Sequence, residues 1–424
     1  MRKICVVATN RSDYGRLKPI MDELKRRDDI ELQVVVGSFR YFDSLLSYLK
    51  YAKPRSMRHS FPWYIRARLS TFFFGMKAAL LREQLSRVIM QDGFTIDARI
   101  PMLLEGGDLA TMVHTDGFGL LEFPRILERL SPDVVMINGD RYEIFSVAVA
   151  CAFMNIHLAH IEGGDVSGTI DNSIRHAITK LSHIHFPATA QSAKRLLQMG
   201  EHPNTVFTYG SPIIDSLVSI DLSLDNSFYK RHPSDVGEID LTKPYILVAH
   251  HPVTTEYADN YRQTKELLAA LDEVNMPQFF IAPNIDAGSD GISVAMKEYC
   301  GGLGAKRSVF HKHVALDQYI KLLGNAAVAA GNSSSLLREA AYLGTPAVIV
   351  GTRQQHRERG NNVIEVDSKQ ASVVSAIRQQ LAHGRFEKDL RFGDGTAATR
   401  IARTLAELDL KQIDVQKYFH EQTV

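Results

Sequence analysis

The sequence predicts an α/β protein made of two doubly wound parallel-sheet domains that face a central cleft. Three observations predict it. Short apolar runs rich in β-branched residues alternate with helical patterns, the mark of parallel strands covered on both faces. The runs fall into two series, separated by a polar stretch of little periodicity at roughly residues 221–243. At 424 residues, 45% hydrophobic and 23% charged, the chain is long enough for two ordinary cores.

In chain order, KICVVAT opens the first series and runs through the polar turn TNRSDYGRL into a helical pattern. LQVVVGS, DVVMING, IHLAHIE and HIHFPA continue it, each leading into a turn or a helix start. The second series is YILVAHH, QFFIAPN, RSVFHKH, AAVAAGN and PAVIVGT. AATRIARTLAELDLKQ, near the end, is helical and is expected to pack back on the first domain. The expected organisation is a first domain at 1–214 with an inserted basic and aromatic segment at about 43–85, a second domain at 215–395, and a C-terminal segment at 396–424.

Composition narrows the function. A formal net charge of +1 argues against a general polyanion binder, so nucleic acid is not an expected partner. Cys5, Cys151 and Cys300 are too few and too scattered for a disulfide framework or a structural zinc site, which fits a reducing compartment. The apolar run after the basic pair in MRKICVVATNRSDYGRL is too short for a signal-peptide core. No stretch reaches the roughly 18 uncharged apolar residues of a membrane span. A cytoplasmic protein is expected.

In doubly wound sheets ligands bind beyond the carboxyl ends of the strands. DVVMINGDRYE places Asp140 and Arg141 in the turn after a strand. IHLAHIEGGD sets His160 and Glu162 on one face by period-two alternation, and Gly163 and Gly164 allow the backbone to turn closely around a ligand. Asp171 precedes NSIRHAITKLSH, whose Ile174, Ile178 and Leu181 mark a buried helical stripe. Asp171 reads as an N-cap or as a third site carboxylate. Three carboxylates arriving at strand or helix termini of one domain form the site hypothesis, with an acid/base role. His157, His160, His176, His183 and His185 lack HExxH-type spacing, and no metal is expected. Arg175 and His176, one helical turn after Asp171, are suited to orient a carboxylate or meet a phosphate.

The second domain reads as a site for a nucleotide diphosphate. AAVAAGNSSSLLREAAYLGTP gives strand, small polar turn and helix, so backbone N–H groups and the hydroxyls of Ser333 and Ser334 face an anion, with Glu339 placed to accept from ribose hydroxyls. His251 and Arg353 sit at two further strand ends. No GxGxxG follows any strand, and no nicotinamide or other cofactor is expected.

TNRSDYGRLKPIM, INGDRYE, HIEGGDVSGTIDNSIRHAITKLSHIH, HPVTTE, PNIDAGS, GNSSSLLRE and GTRQ together closely resemble the hydrolysing UDP-N-acetylglucosamine 2-epimerases of sialic acid synthesis, over most of residues 1–38 and 90–370. The resemblance implies a GT-B-like pair of Rossmann-like domains, UDP held mainly by the second, release of N-acetylmannosamine and UDP, and a homo-oligomer, dimer or tetramer. It implies Asp140, Glu162 and Asp171 as catalytic carboxylates. It implies substrate or UDP contacts at Arg11, Arg141, His176, His251, Asn284, Ser333, Ser334, Glu339 and Arg353. The hydrogen on C2 of such a sugar is not acidic, so its removal must be coupled to departure of UDP from C1. Anti elimination to a glycal, addition of water at C1 and return of a proton to C2 then give the epimer. Glu162 and Asp171 are expected as the acid/base pair, one with a raised pKa, and Asp140 as the orienting group.

Two positions depart from the family. Phe39 stands where a histidine is common, and Leu336 replaces the usual glycine after GNSS-x, as in the branch acting on 2,4-diacetamido-2,4,6-trideoxy sugars of legionaminic acid synthesis. That nucleotide sugar is the close alternative substrate. A GT-B glycosyltransferase, which needs an acceptor, is the more distant one. A non-catalytic sensor would not require three carboxylates. Residues 48–85 fall outside the resemblance: Lys50, Lys53, Arg55, Arg58, Arg66, Arg68, Lys77 and Arg82 interleave with Phe61, Trp63, Tyr64 and Phe72 to Phe74. They read as a buried interface hairpin, as a peripheral contact with an anionic membrane, or as a lid carrying His59.

Overall fold

The computed structural model describes residues 1–39, 84–104, 108–284, 286–312 and 314–421, without the side chains of residues 11, 12, 39 and 84. The expectations for Arg11, for Phe39 and for the basic and aromatic segment up to residue 83 therefore fall outside the described residues.

Twelve strands form two six-stranded parallel sheets among the described residues. The first runs β3 (Ala98–Leu103), β2 (Ile30–Phe39), β1 (Arg2–Ala8), β4 (Val134–Asn138), β5 (His157–Ile161), β6 (Ile184–Phe186). The second runs β12 (Val363–Val366), β11 (Ala347–Val350), β10 (Val328–Gly331), β7 (Ile246–Ala249), β8 (Gln278–Ile281), β9 (Ser308–His311). In each sheet the order reverses beside the strand that opens it, which is where such folds carry ligands. These are two Rossmann-like domains in a GT-B-like arrangement.

Both faces of each sheet are buried, so the strands read as continuous apolar runs. Ile4, Val6 and Ala8 of β1 face one core, where Leu17, Ile20, Met21 and Leu24 of the helix Arg11–Lys25 cover them. Cys5 and Val7 face the other, against Phe123, Leu127, Val147 and Ile178. All three cysteines are free and buried. Asn10, two residues past β1, caps the following helix by accepting from the Asp13 N–H at 3.0 Å, worth about 1 kcal/mol.

The chain crosses between the halves twice, and the crossings touch. Ser211 N donates to Phe392 O at 2.6 Å, and a Cβ on Gly210 (φ +97°) would sit 2.6 Å from the Gly393 Cα. After the second crossing the helix Ala397–Glu407 enters the first sheet's core with Ile401, Ala402 and Leu405. Arg2 Nη1 ties it down by donating to Leu405 O at 2.6 Å. No helix among the described residues is long and apolar enough to cross a membrane.

Candidate active site

The site is built from the ends of β1, β4 and β5 in the first half and of β7, β8, β10 and β11 in the second. After β4, Gly139 takes φ +80°, and the next two residues turn into the cleft. Asp140 pairs with Arg175, which is 1% exposed and also donates to Asp165 O at 3.1 Å and Ser167 Oγ at 3.3 Å. Arg141 grips Glu143 through Nε at 3.1 Å and Nη2 at 2.9 Å, and pairs with Asp286 of the second half.

β5 stops at Ile161, and Glu162 takes a left-handed backbone (φ +62°) that is uncommon for a residue with a Cβ. The turn breaks the expected alternation, so His160 and Glu162 do not share a face of the site. His160 is buried against Gly139 O (Nε2, 2.7 Å) and Thr179 Oγ1 (Nδ1, 3.3 Å), with burial pushing its pKa down to about 3. Glu162 turns instead to Ser211, to Arg16 Nε at 3.2 Å, and to Arg338 across the cleft. Burial works to raise its pKa, but Arg338, Arg16 and the Ser211 hydroxyl outweigh it and hold the group at about 2. The expectation that one of the acid/base pair is raised is thus corrected for Glu162.

Gly163 and Gly164 leave room for the protein rather than for a ligand. A Cβ on Gly163 would lie 2.8 Å from His160 Nδ1, and one on Gly164 2.3 Å from Ser192 O. Asp171 is the first residue of the helix Asp171–Leu181, whose cap position is Ile170, so it is not the N-cap. It faces Arg353 Nη2 at 3.6 Å. Three further histidines of this half hold the C-terminal tail or a buried pair. His157 meets Ile413 O and His183 meets Val415 O, both at 2.9 Å, and His185 meets Glu201 at 2.9 Å. His176 is half-buried, and its pKa is lowered by burial and by Arg175 and Arg195.

In the second half, His251 N donates to Asn332 Oδ1 at 2.6 Å and its Nδ1 accepts from Asn284 N at 3.1 Å. Burial, then Arg353, push its pKa down to about 3. His251 is therefore a neutral imidazole near neutral pH. Asn284 Nδ2 donates to Asp286, and Arg353 lies 3.6 Å from the same carboxylate. The expected helix after the serines is interrupted: Ser334–Leu336 is one tight turn and Glu339–Leu343 a short helix. Ser333 caps that turn, its Oγ 2.9 Å from Ser335 Oγ. Leu336 is fully buried in an apolar cluster with Leu337 and Ala340, so the glycine replacement is a packing change. One Glu339 oxygen lies 4.0 Å from Arg16, and the other is buried without a partner among the described residues.

Opposite charges thus alternate across the cleft: Glu339, Arg16, Glu162, Arg338 in one chain, and Asp171, Arg353, Asp286, Arg141, Glu143 in another. Arg357 adds Asp165 at 2.5 Å. Each of the three catalytic candidates is held by an arginine. Burial lowers the proton affinity of Arg175, and the charges of Arg357, Arg338, Arg195 and Arg353 lower it further, so one cationic cluster links the three. Such a cluster in a dry cleft suits a diphosphate leaving group. Among the described residues no three His, Cys, Asp or Glu side chains gather as metal ligands.

Arg16, Asp13 and Arg338 are among the site residues that escaped the sequence reading. Arg16 and Asp13 lie one turn into the helix after β1, on the side facing the cleft, and helical spacing from the strand end was the signal available for them. Burial and then Glu143 push Asp13 up to about 7, against the pull of Arg141, Arg16 and Thr9. Arg338 carried no local signal, because its partner is 176 positions away.

Two Rossmann-like domains closing on an arginine and carboxylate cleft define a GT-B-like protein. The family described as UDP-N-acetylglucosamine 2-epimerase matches residues 70–406, and the chain belongs to that family. Among curated relatives it is 31% identical over 410 residues to a hydrolysing UDP-N,N'-diacetylbacillosamine 2-epimerase of Legionella pneumophila, covering 97% of both chains. It is 28% identical to a UDP-N-acetylglucosamine 2-epimerase of Neisseria meningitidis, covering 99% of both. A Campylobacter jejuni GDP/UDP-N,N'-diacetylbacillosamine 2-epimerase is 31% identical over 86% of this chain and 84% of its own. In fold, the structure of Neisseria meningitidis UDP-GlcNAc 2-epimerase bound to UDP-GlcNAc matches with a TM-score of 0.71 at 16% identity, over 95% of this chain and 99% of that one.

Proposed function

We propose that the chain is a hydrolysing 2-epimerase of UDP-activated 2-acetamido sugars. The observation that carries the reading is the arginine pairing of Asp140, Glu162 and Asp171 at the carboxyl ends of one sheet, with two of the pairs reaching from the opposite half. In the reaction, Arg141, Arg353 and the Ser333 to Ser334 turn receive the diphosphate as it leaves C1. Glu162, kept ionised by Arg338 and Arg16, takes the C2 proton. Asp171, in the looser pair, takes up a proton from solvent and delivers it to C2 on the opposite face of the glycal as water adds at C1 and loses a proton to solvent; Glu162 releases the abstracted proton to solvent, and Asp140 orients the ring. Elimination and hydration need no net redox change and therefore no redox cofactor.

UDP-N-acetylglucosamine, giving N-acetylmannosamine for nonulosonic acid synthesis, is the first substrate reading. UDP-N,N'-diacetylbacillosamine is the second, supported by the names of two relatives at 31% identity. Incubating the purified protein in D₂O with each nucleotide sugar, and following the products by NMR, tests both. Release of UDP with water alone, and a free epimerised sugar carrying one deuterium at C2, is expected from the true substrate. A product that keeps the substrate's own C2 hydrogen, or UDP release that requires a sugar acceptor, contradicts the proposal.

A further inference from the structure

We propose that Arg338 is a positioning residue for this reaction: it reaches from the nucleotide-side turn of the second half across the cleft and holds the Glu162 carboxylate ionised and in place. The proposal rests on Glu162 as the proton-accepting group. It takes up a problem that the site poses. Glu162 is 5% exposed, and a carboxyl so deeply buried is protonated near neutral pH unless a cation faces it. A protonated carboxyl takes no proton.

The groups that face Glu162 are Arg16 from the helix Arg11–Lys25, the Ser211 hydroxyl from the first crossing, Arg338 with its neighbour Glu339 from the second half, and neutral His160 on its own strand. Arg16 is shared, since its other end lies 4.0 Å from Glu339. Arg338 is the larger opposing charge on Glu162, and its own side chain is 5% exposed. Its backbone (φ −96°, ψ −65°) lies between the Ser334–Leu336 turn and the helix Glu339–Leu343, and buried Leu336 and Leu337 anchor it. The segment that presents Ser333, Ser334 and Glu339 to a nucleotide therefore also delivers the counter-charge of the acid/base group. Glu162 is thus completed by a cation from the opposite half, so its ionisation depends on contact between the two halves. Arg338 Nε is buried without an acceptor among the described residues.

The test uses the full chain with R338M and R338K, in protein carrying ¹³C-labelled glutamate carboxylates. The Glu162 resonance is identified by its loss in E162Q. In R338M the Glu162 titration midpoint is expected to rise by about one unit or more, with R338K in between. With the nucleotide sugar that the wild type turns over, R338M should lower kcat about tenfold or more and leave KM within about threefold. The acidic limb of the kcat profile should move to higher pH, and R338K should restore part of both. An unchanged Glu162 titration in R338M overturns the proposal, and so does a fall in kcat that merely follows a fall in Tm. Should R338M fail to fold, R338K decides: no change in either titration or kcat overturns the proposal. If the wild type releases no UDP from either nucleotide sugar, the functional reading fails, while the hold of Arg338 on Glu162 is still judged by the titration.

Discussion

Glu162 carries two arginines on one carboxylate, whereas Asp171 shares Arg353 at 3.6 Å and is more exposed, so equal chemical changes at the two have unequal structural costs. Glu162→Gln leaves two buried guanidinium groups facing each other and is expected to cost about 3–5 kcal/mol. Asp171→Asn is expected to cost under about 1 kcal/mol. Urea denaturation of the two amides reads the ranking, and a reversed order contradicts the pairing. Both amides, and Asp140→Asn, should lower turnover by about 10² or more while UDP binding by calorimetry is largely kept. Near-normal turnover in all three removes the acid/base assignment. Asp13 supplies a pH dependence. Its pKa is raised from 3.8 to about 7, so its contribution to stability is full below about pH 4 and lost as pH rises through 7. Asp13→Asn should flatten that decline, on the order of 1–4 kcal/mol. Parallel stability curves from pH 5 to 8 for the wild type and Asp13→Asn would show that Asp13 is not the group.

Among the elements, close approach decides more than propensity. The helix Leu109–Leu130 packs on the helix Tyr142–Phe153 through Gly119, where a Cβ would meet Ser146 Oγ at 2.2 Å. Gly119→Val is expected to destabilise by about 1–3 kcal/mol in urea without changing UDP affinity. Gly168 is the counterpart in the cleft. Its N–H donates to Arg353 O at 3.0 Å, and a Cβ there would lie 1.8 Å from Thr352 O. Gly168→Ala should push the halves apart, seen as a larger radius of gyration in solution scattering and a loss of turnover; an unchanged radius contradicts this contact. The ten apolar runs named from the sequence correspond to ten of the twelve strands. β3 and β12 are edge strands, as are β6 and β9, but unlike those two they are not continuously buried, and this made them illegible. β3 alternates buried and exposed around Pro101, and β12 is only half-buried throughout, so neither shows the continuous apolar run of an inner strand.

At the scale of the molecule, the helix Ala397–Glu407 makes the first core depend on the far end of the chain. Ile401 is fully buried there beside residues of β1 and β2. Ile401→Ala is expected to cost about 2–5 kcal/mol, read in the unfolding of the first half. A loss below about 0.5 kcal/mol would show that the first core does not need this helix. By itself the sequence determined the fold class and most strand ends and offered three carboxylates as candidates, because these follow from local period, turn chemistry and motif, each written within a few residues. Only the tertiary structure decided which charges meet. The pairs Arg16 with Glu162, Arg338 with Glu162, Arg141 with Asp286 and Arg353 with Asp171 join strand ends far apart in the chain. The ionisation of Glu162 follows from Arg338 and Arg16, which outweigh its burial, and the neutrality of His251 from burial and then Arg353; the first depends on contact between the two halves.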